Sequence, residues 1–255
     1  MAWLVPENML DDQQRDFVEN VDINQKNVWI KGFPGSGKSV LLAYTMKRIK
    51  RKVPNAKVAV VVFTHSLIAM FKAAFAEMGV SANIMTYYEF MDGSSNYDYV
   101  LSDEVQDMTG RVLSTMNSRA KHVIVAGDEN QSIYESDPKH REATVSPSQI
   151  ISLLNCRDFE LGIIHRLSSS IIAAVEKFMP NMNIFTARRD MTKRTTQIRL
   201  CSANSAEQET KYIMKEAQRA VNIGETAAIL IPSQQKILDF FQMALTALGK
   251  SQWSV

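Results

Sequence analysis

Cysteine is nearly absent from this chain of 255 residues, with only Cys156 and Cys201 present. Two such cysteines, without metal-ligand spacing, exclude a disulfide framework and fit a reducing compartment. Long apolar runs are also missing, and none approaches the ~20 residues of a membrane helix. Asp11, Asp12, Arg15 and Asp16 break up any apolar stretch near the N-terminus, which argues against a signal peptide. The expectation is a cytoplasmic protein with no membrane contact. A dominant charge is lacking too. The 29 basic and 27 acidic residues leave a net charge of +2, so composition makes no case for nucleic-acid binding. Repeats and low-complexity segments do not occur. With 45% hydrophobic and 22% charged residues, the chain has the composition of a globular protein with a sizeable core.

Apolar patterning alternates between strand-like and helix-like segments, which predicts an α/β fold with a mostly parallel sheet. Val28-Trp29-Ile30 reads as a buried strand, and residues 40–52 as a helix with Leu42, Met46 and Ile49 on one face. Residues 57–64, KVAVVVFT, are apolar and β-branched, as a strand buried on both faces should be. Further strands are expected at 99–101, 122–126, near Phe159, 197–201 and 226–231. Helices are expected at 66–78, 146–154, 168–178, 206–220 and 233–248. The polar stretch carrying Pro138 and Pro147 suggests a boundary, with domains at 1–145 and 146–255.

Between the first strand and its helix stands Gly32-Phe33-Pro34-Gly35-Ser36-Gly37-Lys38-Ser39, which fits the phosphate-loop pattern G-x-x-x-x-G-K-[ST]. Glycines let backbone N–H groups wrap a phosphate, and the helix N-terminus adds favourable partial charge. Lys38 is expected to reach the β- and γ-phosphates of a nucleoside triphosphate, and the Ser39 hydroxyl to ligate Mg²⁺. Ser102-Asp103-Glu104-Val105-Gln106-Asp107 ends the third strand, at the carboxyl edge where ligands bind in open α/β sheets. Asp103 is placed to hold Mg²⁺ and Glu104 to deprotonate an attacking water, the division of labour that in-line hydrolysis needs. Gly127-Asp128-Glu129-Asn130-Gln131-Ser132-Ile133-Tyr134 follows the fourth strand. The Gln131 amide there can sense a γ-phosphate with its N–H and a water with its carbonyl.

Together these motifs resemble the motor core of the UvrD/Rep helicases of superfamily 1A. Asp103 to Asp107 is similar to that family's D-E-x-Q-D, and Gly127 to Tyr134 to its G-D-x-x-Q-S-I-Y. Leu10 to Arg15 resembles the upstream L-N-x-x-Q segment, which implies that Gln14 reads adenine. Leu161-Gly162-Ile163-Ile164-His165-Arg166 resembles L-x-x-N-Y-R at the start of the second motor domain. The resemblance implies that Arg166 reaches across the cleft to the γ-phosphate and that His165 stacks on the base. It also implies single-strand contacts at Thr64 and His65, at Thr86, and at Tyr134. Tyr87 and Tyr88 are either stacking groups or half-buried packing residues.

The chain departs from the family in four places, the first being that only a short stretch separates Thr64 from Asp103, without the accessory insertion of large relatives. His165 replaces the usual Tyr beside the arginine, and Ser136 stands where a base-stacking Trp is usual. The last two family motifs do not occur before Val255. The expectation is therefore a RecA-like ATP-binding domain followed by a partial second RecA-like domain, with ATP and Mg²⁺ as cofactors. Such a motor hydrolyses ATP and acts on single-stranded nucleic acid, DNA favoured, with a partner chain or further C-terminal segment completing it. The alternative is a nucleotide-gated regulatory switch subunit without unwinding activity. Basic clusters at Lys47 to Lys52 and at Arg188, Arg189, Lys193 and Arg194 are read as a solvated helix end and a charged loop.

Overall fold

A computed structural model describes residues 4–128, 135–137, 141–182, 184, 188–189, 195–231, 233–247 and 249. Gln131, Tyr134, Lys193 and Arg194 lie outside the described residues. Two compact units form, Met1–Gln197 and Ile198–Val255.

In chain order the first unit contains α1 Asp12–Asn20, β1 Asn27–Gly32, α2 Lys38–Lys52, β2 Val58–Val62, α3 His65–Glu77, β3 Asn83–Thr86 and α4 Tyr87–Asp92. It continues with β4 Tyr97–Ser102, α5 Gly110–Arg119, β5 Ala120–Gly127, α6 Pro147–Leu154 and β6 Cys156–Leu161. Two-residue strands β7 Ile163–Ile164 and β8 Arg188–Arg189 flank α7 Ser169–Phe178. Strands β1 to β6 form one parallel sheet in the order β3-β2-β4-β5-β1-β6, the RecA-like α/β class expected.

The central strands are apolar on both faces because helices cover both. Val28, Ile30, Val58, Val60, Val62, Leu101, Ile124 and Ala126 face the layer built by Phe17, Leu41, Leu42, Met46 and Phe71. The alternate residues Trp29, Ala59, Val61, Val100, Val123 and Val125 face Phe90, Met108, Leu113, Met116 and Leu154. Period-two alternation thus assigns each strand residue to one core. Each fully buried large side chain contributes about 1.5–3 kcal/mol. Helix starts are marked by local caps. Asp11, Thr86 and Ser146 each form a capping box with the Gln or Glu three residues on.

The contacts divide the chain at 197/198, whereas the sequence suggested 145/146. The cause is β6, which pairs with β1 along all six of its residues and so extends the first sheet. Strands β3 and helices α1, α4 and α5 were not legible as periodic segments. In the second unit, α8 Ala206–Asn222 and α9 Gln234–Ala247 pack together. The strands expected at 197–201 and 226–231 are irregular instead. A strand exists only where a neighbour completes its hydrogen bonds, and no strand neighbours these segments among the described residues.

Candidate nucleotide site

The phosphate loop leaves β1 and turns into α2 through two left-handed glycines, Gly35 at φ 75° and Gly37 at φ 95°. Gly37 is the N-cap of α2 and supplies no side-chain cap. The first-turn N–H groups of α2 are therefore available to an anion. A Cβ on Gly37 would lie 2.4 Å from Gln14 Nε2, and one on Gly35 2.5 Å from Arg166 Cβ. Both positions thus require glycine for space as well as for conformation.

Lys38 Nζ donates to the carbonyls of Gly32 at 2.7 Å and Phe33 at 3.1 Å, which holds the ammonium inside the loop. Burial lowers the Lys38 pKa, partly offset by Asp128, Glu104 and Asp103. Ser36 Oγ is buried without a hydrogen-bond partner. An orphaned hydroxyl in a phosphate loop suits an anionic oxygen arriving from outside.

Asp103 is 1% exposed and its Oδ2 also lacks a partner. Its other oxygen accepts from the Glu104 N–H at 3.1 Å, and the Ser39 side chain hydrogen-bonds the carboxyl. Burial and the neighbouring Glu104 charge push the Asp103 pKa up to about 6. A buried carboxylate oxygen with no donor, beside a hydroxyl, fits a hard divalent cation. Among the described residues no group of three or more His, Cys, Asp or Glu could hold a metal. That donor set suits Mg²⁺, which keeps several waters and takes phosphate oxygens rather than an all-protein cage. Ser39 and Asp103 are the residues that would hold it.

Glu104 adopts a left-handed backbone, φ 52° and ψ 46°, the kind of strained non-glycine residue that clusters at functional sites. Its carboxylate accepts from Gln106 Nε2 at 2.7 Å, and Gln106 Oε1 accepts from the Asp128 N–H at 3.1 Å. Gln106 thereby joins the carboxyl end of β4 to that of β5. The Asp128 and Gln106 roles were missed in the sequence, although both residues lie inside the motifs. Neither residue type by itself signals a bridge.

Gln14 stands at the loop, and its amide is engaged at both ends. Oε1 accepts from the Asp11 N–H at 3.1 Å, and Nε2 donates to the Ser36 carbonyl at 2.9 Å. His165 and Arg166 also sit on the loop, their N–H groups donating to the Gly35 carbonyl at 2.9 and 3.3 Å. The His165 ring pairs with Asp11 Oδ2 at 2.5 Å. Phe33 packs against Ile164, Ile172, Met182 and Ile184, which anchors this segment. Arg166 and the phosphate loop therefore belong to the same compact unit. β6 carries Arg166 there.

Thr64, His65 and Thr86 lie at the carboxyl ends of β2 and β3. Thr64 N-caps α3 and is exposed, as is His65. Thr86 is buried in its capping box with Glu89. Tyr87 is 3% exposed, stacks on Phe63 at 5.2 Å and hydrogen-bonds Asp137, so it packs inward rather than offering a platform.

Residues 14–137, a little under half of the chain, match the family model of an AAA domain. The match opens on Gln14, spans the phosphate loop and the acid pair, and ends on Asp137. This part of the chain is thus similar to an AAA domain. No curated protein sequence matches the chain. Among solved structures, an arterivirus nonstructural protein 10 (helicase) is similar with a TM-score of 0.42 and 16% identity over 66% of this chain and 41% of that one. The same protein in complex with DNA gives 0.43 and 16% over 72% and 44%. The Pif1 helicase from Candida albicans gives 0.41 and 19% over 60% and 39%. The chain spans about two fifths of the length of these helicases. Among the described residues no helix is long and apolar enough to cross a membrane.

Proposed function

We propose that the chain is an ATP-hydrolysing motor of the superfamily 1 helicase class, of UvrD/Rep type, acting on single-stranded DNA. The observation that carries this reading is the buried Asp103, with a free carboxylate oxygen, set among Lys38, Ser39 and the hydrolytic candidate Glu104. Lys38, Ser36 and the α2 N-terminus bind and orient the triphosphate. Ser39 and Asp103 would hold Mg²⁺, which would supply neutralisation of phosphate charge. Glu104, aimed by Gln106, takes a proton from the attacking water. Arg166, exposed beside Gly35, stabilises charge on the transferring phosphoryl group, and Gln131 reports its presence. Gln14 and His165 border the base, each exchanging an internal partner for it. Thr64, His65, Thr86 and Tyr134 form the single-strand track.

The test is steady-state ATPase with and without a dT oligonucleotide. Lys38→Ala should abolish nucleotide binding. Glu104→Gln should bind normally and turn over on the order of a hundredfold more slowly, the usual scale of general-base loss. A Glu104→Gln protein with normal turnover would remove Glu104 from the base role.

A second reading, a nucleotide-gated switch subunit, is favoured by the second unit, where Leu200 and Leu230 are 96% and 94% exposed. Large apolar residues so exposed suit a partner chain. Nucleotide binding without oligonucleotide-stimulated turnover is the outcome that supports it.

A further inference from the structure

Asp11 is the N-cap of α1, and its two carboxylate oxygens serve different partners. Oδ1 accepts from the Gln14 N–H at 2.8 Å, the ordinary work of a capping residue. Oδ2 reaches away from the helix and pairs with His165 Nε2 at 2.5 Å. The Asp11 N–H donates to Gln14 Oε1 at 3.1 Å, so the same residue also holds the Gln14 amide. The Asp11 side chain is 14% exposed and that of His165 33%, which puts the pair at the rim of the site.

The first turn of α1 grips the phosphate loop and the segment after β6 at three points. Asp11 takes the His165 ring, Gln13 Oε1 accepts from the Gly162 N–H at 2.9 Å, and Gln14 Nε2 donates to the Ser36 carbonyl at 2.9 Å. His165 is held a second time, by its own N–H on the Gly35 carbonyl at 2.9 Å. That backbone tie fixes where residue 165 stands beside the loop. The Asp11 carboxylate fixes the direction of the ring, and this tie can open without moving the loop. The Gln14 amide and the His165 ring, which border the base, thus share one internal partner.

We infer that Asp11 is a specificity-determining residue of the nucleotide site, whose carboxylate competes with the nucleobase for the His165 ring. The competition weakens the contribution of the base and spares that of the phosphates, whose ligands Lys38 and Ser36 lie on the loop itself. The inference rests on the functional reading above, in which a nucleoside triphosphate fills the loop with its base beside Gln14 and His165. The physical reason is exchange. A hydrogen bond given up on binding subtracts from what the new contact supplies. The pair is partly open to water, so its worth lies between that of an exposed pair and a buried one, about a three- to tenfold change in affinity.

The experiment measures by calorimetry the dissociation constants of a non-hydrolysable ATP analogue and of inorganic tripolyphosphate, both with Mg²⁺. The ratio of the tripolyphosphate constant to the analogue constant reads the nucleoside's share of binding. Asp11→Ser keeps a good N-cap but is too short to reach His165, and should raise that ratio about three- to tenfold. Loss of one negative charge strengthens both anions together and so cancels in the ratio. Asp11→Asn keeps the size and the cap; it should move the ratio in the same direction, and it decides alone if the serine variant does not fold. In a His165→Ala background the same substitutions should leave the ratio within about twofold, because the partner they act through is gone. A ratio unchanged or lowered by the Asp11 variants, or a rise that persists without His165, overturns the inference alone. Failure of both ligands to bind the natural chain overturns the functional reading and the inference with it.

Discussion

The carbonyl of Gly35 accepts the His165 amide hydrogen at 2.9 Å, which seats the segment beyond β6 directly on the phosphate loop. Gly35 lies at φ 75°, and a Cβ there would come within 2.5 Å of Arg166 Cβ. Gly35→Ala thus combines left-handed strain of about 1–2 kcal/mol with a steric conflict. Nucleotide affinity should fall tenfold or more and the midpoint of thermal unfolding should drop. Calorimetric titration with the ATP analogue and a melting curve measure both. An unchanged affinity would show that the loop and the Arg166 segment separate freely.

Gln106 makes a second prediction. Gln106→Met preserves volume while stripping the Glu104 carboxylate and the Asp128 N–H of their shared partner. Unsatisfied buried polar groups cost about 1–3 kcal/mol each. The expected kinetic result is kcat reduced roughly tenfold to a hundredfold with KM for ATP within about twofold, since ground-state binding is untouched. A matched fall in affinity instead would mean that Gln106 supports the loop and not the base.

Asp103 makes the third, through pH. Its folded pKa is raised to about 6 from 3.8. Between those values the native state holds a proton that the unfolded chain has released, so stability falls as pH rises through that window. The penalty is complete above about pH 6 and amounts to about 3 kcal/mol. Urea midpoints at pH 4.5 and 7 should therefore fall more for the natural chain than for Asp103→Asn. Adding Mg²⁺ at pH 7 should raise the natural midpoint and leave Asp103→Asn unmoved. Parallel pH curves for the two proteins would sink the assignment.

The central strands and most helices were legible because each follows a local rule. Val58 to Val62 is apolar at every position because both faces are covered. β3 was not legible, since four residues at a sheet edge carry too little pattern. The segments 197–201 and 226–231 misled for the converse reason: their apolar, β-branched content is strand-like, but pairing requires a neighbour. Lys38, Ser39, Asp103 and Glu104 could be read as one site because strand ends converge on one edge of a parallel sheet. Tyr87 read equally as platform or packing until its hydroxyl was seen on the buried Asp137.

By itself, the sequence determined the phosphate loop, the acid pair and the parallel α/β pattern, since local spacing and side-chain chemistry suffice for each. Only the tertiary structure decided that β6 joins the first sheet and carries His165 and Arg166 onto the loop. It alone placed Gln106 between Glu104 and Asp128, and Asp137 against Tyr87 across a sequence separation of 50 residues. Partners that distant are chosen by strand order and packing, and no local pattern records them.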